Sequence, residues 1–291
     1  MTLTIAPRRL AITAFAAALS VLLAACFVLP GKFAETLDLR KDGHFSYSYK
    51  GEIFVLGLSK LAEMGGGMGG ATDNGPFEAQ PCSNEDTGNE RPCTKAELDQ
   101  QKTDWDEVQK ASQAKKKEDN EAMKAALGGI DPQDPKAGEE LAERLRRQAG
   151  WNSVIYQGDG LYQVDFAISG VLSYDFSFPT IERIPTLLPF LTMTRRADRA
   201  VRIDSPIFAN NGSGGMNGMM GGQMAAAAAS ERSELKGLPT IDGTFTLTTD
   251  GAILANNTDE GPAVDPKGKR LVWKINPRNG AGPTALVQLG K

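Results

Sequence analysis

Histidine is almost missing. The chain of 291 residues has one, His44, just after an Asp-Gly pair. No zinc site of several imidazoles can be built from it, and a Ser-His pair would need a partner brought close by the fold. Beside a hairpin turn it reads as an exposed strand residue. No G-x-S-x-G occurs. S-x-x-K occurs at Ser112 to Lys115 and at Ser233 to Lys236, without the S-D-N or K-T-G partners of penicillin-binding sites, so both read as chance. Asp165 and Asp175 fall on strands but show no glycosidase spacing, and read as solvation or edge protection. No catalytic, cofactor-binding or metal-ligating set is singled out, and a non-enzymatic protein without a cofactor is expected. Long basic runs are missing too. None exceeds Lys115 to Lys117, and 36 acidic residues outnumber 32 Lys and Arg, which argues against a nucleic-acid partner.

Cysteine is scarce and odd in number, three in all, which in an exported chain calls for an explanation. The N-terminus supplies one. Arg8 and Arg9 precede an uncharged, Ala- and Leu-rich run from Leu10 to Leu23, the layout of a secretory signal. Arg8-Arg9 is read as an ordinary basic region, because the further residues of a twin-arginine signal are absent. Leu23, Ala24 and Ala25 lead straight into Cys26.

These four positions resemble the lipobox of bacterial lipoproteins. The resemblance implies that the Cys26 thiol receives a diacylglyceryl group, that residues 1–25 are a signal peptide removed just before it, and that the new amino group is acylated, with chains such as palmitate. Two or three chains anchor durably where one holds only marginally. The alternative is an uncleaved membrane helix, since the uncharged run continues to Pro30, near the roughly 20 residues that span a bilayer. Removing residues 1–25 takes away two Arg and no acid, leaving 30 basic against 36 acidic residues, a net of −6. Such a chain gains no electrostatic grip on anionic lipid.

Lipidation of Cys26 leaves Cys82 and Cys93, flanking the polar stretch SNEDTGNERP. Their spacing excludes a C-x₂-C metal knuckle, and an oxidising periplasm favours their pairing as a structural disulfide.

In the remainder, apolar and polar residues alternate in short runs that start at Asp-Gly turns. Phe33 to Leu39 and His44 to Val55 flank Asp42-Gly43, a strong hairpin signal. Phe45, Tyr47, Tyr49, Ile53 and Val55 share one face of the second run. Ser153 to Tyr156 and Leu161 to Phe178 flank Gly158-Asp159-Gly160. Phe190 to Thr194 and Ala200 to Ile203 flank Ala197-Asp198, and Thr244 to Thr248, Ala252 to Ala255, Arg270 to Ile275 and Ala285 to Leu289 follow. "DGHFSYSYKGEI" and "DGTFTLTTDGAI" align over twelve residues without a gap, through either duplication or convergent hairpin chemistry. Gly51, Gly170 and Gly251 recur in mid-strand and are expected to mark bulges or bends that let a sheet curl. The fold class is therefore α+β: a curved, mostly antiparallel sheet or partly closed β-barrel, with a helical insertion.

The insertion spans residues 57–150. Thr94-Lys-Ala-Glu97 is a capping box opening a helix that runs to about Leu127 and stops at Gly128-Gly129. Leu98, Trp105 and Val108 are its expected anchors, and Gln109 to Glu121, with only Ala for apolar residues, must be solvated. A second helix starts at Asp134-Pro135 and closes at Gly150, with Leu141 and Leu145 one turn apart. Residues 26–291 thus read as a single β-rich periplasmic domain, interrupted by this insertion and by a flexible Gly/Met/Ala loop, residues 210–237.

Six of the nine methionines fall in two glycine-rich stretches: Met64, Met68, Met216, Met219, Met220 and Met224. Thioethers suit Cu(I), but these loops lack the His or Cys of periplasmic copper sites, so a contact surface is the plainer reading.

With its lipobox, "KDGHFSYSYKGEI", "VDFAISGVL" and "RLVWKINP" in that order, the chain resembles uncharacterised envelope lipoproteins of alphaproteobacteria, and more faintly the LppM-type lipoproteins of mycobacteria. The resemblance implies a β-rich domain, with Trp273 on a late strand, anchored in the envelope and facing the periplasm. Phe27 in place of Asp after the lipidated cysteine points to the outer membrane, by analogy with enterobacterial sorting. The expected function is binding of a hydrophobic ligand or docking on an envelope complex; the alternatives are a pure scaffold or a Met-loop Cu(I) protein.

Overall fold

The structure is a computed structural model, which describes residues 28–58, 76–83, 90–186, 188–209, 240–276 and 281–290. The chain divides into two compact units, residues 63–122 and the rest. The signal region, Cys26, Ser233 to Lys236 and all six methionines of the glycine-rich stretches lie outside the described residues.

In the larger unit β1 (Val28–Leu39) turns at Asp42-Gly43 into β2 (His44–Val55), antiparallel as the Asp-Gly signal demands. Gly43 takes a positive φ of 90° and donates to Arg40 O at 2.9 Å, which closes the turn. Next come β5 (Trp151–Gly158) and β6 (Leu161–Val171), then β7 (Phe176–Phe178), β8 (Leu191–Arg195) and β9 (Ala200–Asp204). The last strands are β10 (Asp242–Thr249), β11 (Ala252–Asn256), β12 (Ala263–Asp265), β13 (Gly268–Ile275) and β14 (Thr284–Gln288). One sheet has seven strands in the order β12-β13-β10-β1-β2-β6-β5, and a second has five, β11-β14-β9-β8-β7. All pairings are antiparallel except β1 with β10.

This is a mostly-sheet α+β fold, and among the described residues neither sheet closes into a barrel. The apolar face of the seven-stranded sheet is covered by the second sheet instead of by curling on itself. Phe33 of β1 stacks on Tyr49 of the same sheet at 5.4 Å and on Phe208, just after β9, at 5.2 Å. Phe178 of β7 meets Tyr47, Tyr49, Trp151 and Phe166 across the interior.

The run Leu161 to Phe178, read as a single strand, is split by a change of sheet. The chain leaves the first sheet after Val171 and re-enters the second at Phe176, and leaves again at Asp250-Gly251, between β10 and β11. Of the three mid-strand glycines, Gly51 faces a register shift between Pro30 and Phe33, the expected bulge. A Cβ there would lie 2.3 Å from Lys32 O. Gly170 is different: it pairs regularly with Phe45, and a Cβ would meet only a Phe45 ring atom at 4.0 Å.

In the smaller unit, β3 (Cys82–Ser83) pairs with β4 (Glu90–Arg91), and α1 (Lys95–Ala126) begins just beyond. The capping box forms: Thr94 N donates to Glu97 Oε2 at 2.7 Å and Glu97 N to Thr94 Oγ1 at 3.4 Å. Only Trp105 of the three expected anchors is half-buried, 6.1 Å from the Phe77 ring; Leu98 and Val108 are exposed.

The second helix, α2 (Ala137–Arg146), belongs to the sheet unit rather than to the insertion. Asp134 and Pro135 form a turn before it, with Asp134 Oδ1 accepting from Lys136 N at 2.8 Å, so the helix starts three residues later than read. It packs Leu141, Ala142 and Leu145 into the core. Gly138 permits the closest approach, for a Cβ would sit 2.2 Å from the Tyr156 ring, and Tyr162 Oη donates to Gly138 O at 3.1 Å.

Candidate functional site

The residues singled out in the sequence do not converge. His44 is exposed, its Nδ1 3.0 Å from Asp42 Oδ2 in the hairpin turn. Asp165 pairs with Lys50 at 2.9 Å across β2 and β6, and Asp175 accepts from Arg195 N at 2.9 Å. Ser112 lies on the solvated part of α1. Among the described residues no group of three or more His, Cys, Asp or Glu is placed to hold a metal ion.

Cys82 and Cys93 are joined in a disulfide, their Cα atoms 5.1 Å apart. Gln101 of α1 braces the loop: its Oε1 accepts from Gln80 N at 2.9 Å while its Nε2 donates to Gln80 O at 3.1 Å. These are structural contacts around a short, polar loop. Cys26 lies outside the described residues, yet Val28, two positions on, is already buried in β1 and opposite Val55.

The residue that sequence reasoning missed is Glu35. It lies on the core face of β1 between Phe33 and Leu37, opposite Tyr49 on one side and Phe245 on the other, and is 1% exposed. Tyr47 Oη donates to its Oε1 at 2.7 Å, while Oε2, equally buried, has no partner among the described residues. A carboxylate in such surroundings has lost its hydration. Burial pushes the Glu35 pKa up to about 8, against the opposing pull of the Tyr47 hydrogen bond. The Tyr47 and Tyr49 phenols rise well above their ordinary range, through burial first and the nearby Glu35 second. Near neutrality the cluster therefore holds a proton on Glu35. The rings of Phe33, Tyr49, Phe178 and Phe190 pack against one another between the sheets. The signal was present in the period-2 run Phe33-x-Glu35-x-Leu37-x-Leu39, which puts an acid on the apolar face.

No family model matches the chain, and no curated protein matches it. Among solved structures, the NMR structure of the folded domain of LppM from Mycobacterium tuberculosis is similar at 11% sequence identity and a TM-score of 0.30, over 90% of this chain and 92% of that one.

Proposed function

We propose that the chain is a lipid-anchored protein of the cell envelope, tethered through Cys26, facing the periplasm and non-enzymatic, whose sheet unit docks on an envelope partner. The observation that carries this reading is the spacing between anchor motif and fold. Val28 is paired and buried two residues after Cys26, so cleavage before Cys26 leaves every described strand intact. At an extended reach of about 3.5 Å per residue, the start of β1 lies within roughly 7 Å of the modified cysteine. The same placement disfavours the uncleaved helix, because Val28 to Pro30, which that helix needs for its length, are strand residues. No helix among the described residues is long and apolar enough to cross a membrane. An oxidising compartment also suits the Cys82–Cys93 disulfide.

Docking is preferred to carriage of an apolar ligand inside the sheet because aromatic rings already fill the interior. Phe27 after the cysteine favours the outer membrane. The Met segments, without His or Cys, lend no support to a copper site.

Intact-mass measurement on protein purified from native membranes tests the reading. The expected species begins at Cys26 and carries diacylglyceryl and acyl mass, whereas Cys26→Ala stays unprocessed and unmodified. Native protein that retains its leader, or has the mass of its bare residues, overturns it.

A further inference from the structure

A cleft of about 290 Å³ opens where the end of α2 meets the 181–184 turn. Its floor is apolar, made by the buried Leu141, Ile181 and Ile184. Its rim carries Arg144, Arg147 and Arg183 against a single acid, Glu182. On a chain with a net charge of −4 that is a local reversal of sign.

The three arginines are not equivalent. Arg144 is committed to the fold: Nη1 donates to Gly128 O at 2.8 Å and Nη2 pairs with Glu140. The Arg147 guanidinium has no hydrogen bond or ion pair among the described residues. Among the described residues Arg183 has only a long, exposed contact with Glu182, at 3.6 Å. Arginine near a helix C-terminus is common, because it faces the last carbonyls, and this accounts for Arg144 and Arg147.

It does not account for Arg183, which sits on a turn closed by Ile184 N donating to Ile181 O at 3.1 Å. Arg183 holds φ at +65°, a conformation that glycine adopts freely and residues with a Cβ rarely do. Opposite it, Gly128 is also at φ +65°, and a Cβ there would lie 3.0 Å from Arg183 Cβ. The backbone at 183 would be relaxed by glycine, yet the position carries an arginine, which lines the cleft. Strain kept at an exposed position points to a use for the side chain.

We propose that this cleft binds a phosphate group, either free or on a lipid headgroup, with Arg147 and Arg183 gripping the oxyanion and the apolar floor taking the first carbons attached to it. Two guanidinium forks from separate elements suit an anion whose oxygens point in several directions. The volume lies at the small end of ligand clefts, enough for a headgroup and a short stem. The inference is independent of the Cys26 anchor, and unmodified protein binds as well as acylated protein.

The test is calorimetric titration of the full chain, in phosphate-free, low-salt buffer, with inorganic phosphate and separately with monomeric dihexanoyl phosphatidic acid. Saturable binding is expected, weakened about tenfold or more by Arg147→Gln and by Arg183→Gly, and lost when the two are combined. Arg183→Gly is expected to keep or raise the melting temperature, since glycine relieves the backbone, so that weakened binding there is not lost folding. Equal binding of both titrants assigns the site to free phosphate compounds, and binding of the phosphatidic acid alone assigns it to lipid headgroups. Binding of neither titrant, or binding unchanged in the double variant, overturns the proposal.

Discussion

At the scale of single residues, Glu35 sets a pH dependence of unusual sign for an acid. Its folded pKa of about 8 lies above the ordinary 4.5, so between those values the folded chain holds a proton that the unfolded chain has released. Stability therefore falls as pH rises from about 4.5 to about 8 and levels off beyond, by several kcal/mol in all. Glu35→Gln keeps an acceptor for Tyr47 but cannot ionise. Its urea midpoint is expected to lose this descending limb while the parent chain retains it. Tyr47→Phe removes the donor from a buried acceptor and is expected to cost about 1–3 kcal/mol, with the limb shifted to higher pH. Glycine positions divide in the same way. Gly51→Ala collides with Lys32 O at the bulge and is expected to destabilise by at least 2 kcal/mol or so, whereas Gly170→Ala meets open space and is expected to be neutral or to stabilise by about 0.5 kcal/mol, both read from chemical denaturation.

At the scale of elements, α1 shows how far local chemistry reaches. Its start was legible in four residues, because a capping box needs only Thr94 and Glu97 at the right spacing and no tertiary partner. Glu97 also takes both Nη atoms of Arg91, and its pKa is lowered to about 2, by the Arg91 hydrogen bonds first and those from Thr94 next. The sign is opposite to that of Glu35: this contribution is present above pH 4.5 and is lost as pH falls towards 2, where helix content by circular dichroism is expected to drop. Thr94→Ala is expected to cost about 1 kcal/mol. Replacing both Cys82 and Cys93 by Ser removes a short-loop constraint of about 3 kcal/mol on the chain-entropy model. Faster amide exchange is expected in β3, β4 and the first turn of α1, with β1 and β2 unchanged. The anchoring of α1 was less legible, since an apolar residue on a helix says nothing about whether a partner faces it: Trp105 finds Phe77, while Leu98 and Val108 stay in solvent.

At the scale of the whole molecule, the larger unit places its seven-stranded sheet almost directly after the proposed anchor. β1 has 12 residues, and at 3.3 Å each its far end, at the Asp42-Gly43 turn, stands about 40 Å from its start. If the sheet stands on end, a fluorophore attached at His44→Cys should escape quenching by lipid-phase nitroxides that reaches one at Asp242→Cys, which pairs beside Lys32 near the start of β1. Equal quenching at both positions would mean that the sheet lies flat.

Read alone, the sequence determined what depends on near neighbours: the Asp42-Gly43 hairpin, the alternating strands, the Thr94 cap and the apolar faces that make a mostly-sheet α+β fold. Period-2 patterning and turn chemistry act over a few residues, so they can be read without knowing what lies opposite. Tertiary structure decided how the apolar faces were covered. Patterning says that a face must be buried but not against what, and here a second sheet, reached at Ser173 and again at Asp250, took the place of barrel closure. It also decided the fate of Glu35, whose position on the apolar face was written in the strand period. Only the rings of Tyr47, Tyr49 and Phe245 around it, drawn from the two strands that flank β1, determined that the carboxyl would keep its proton.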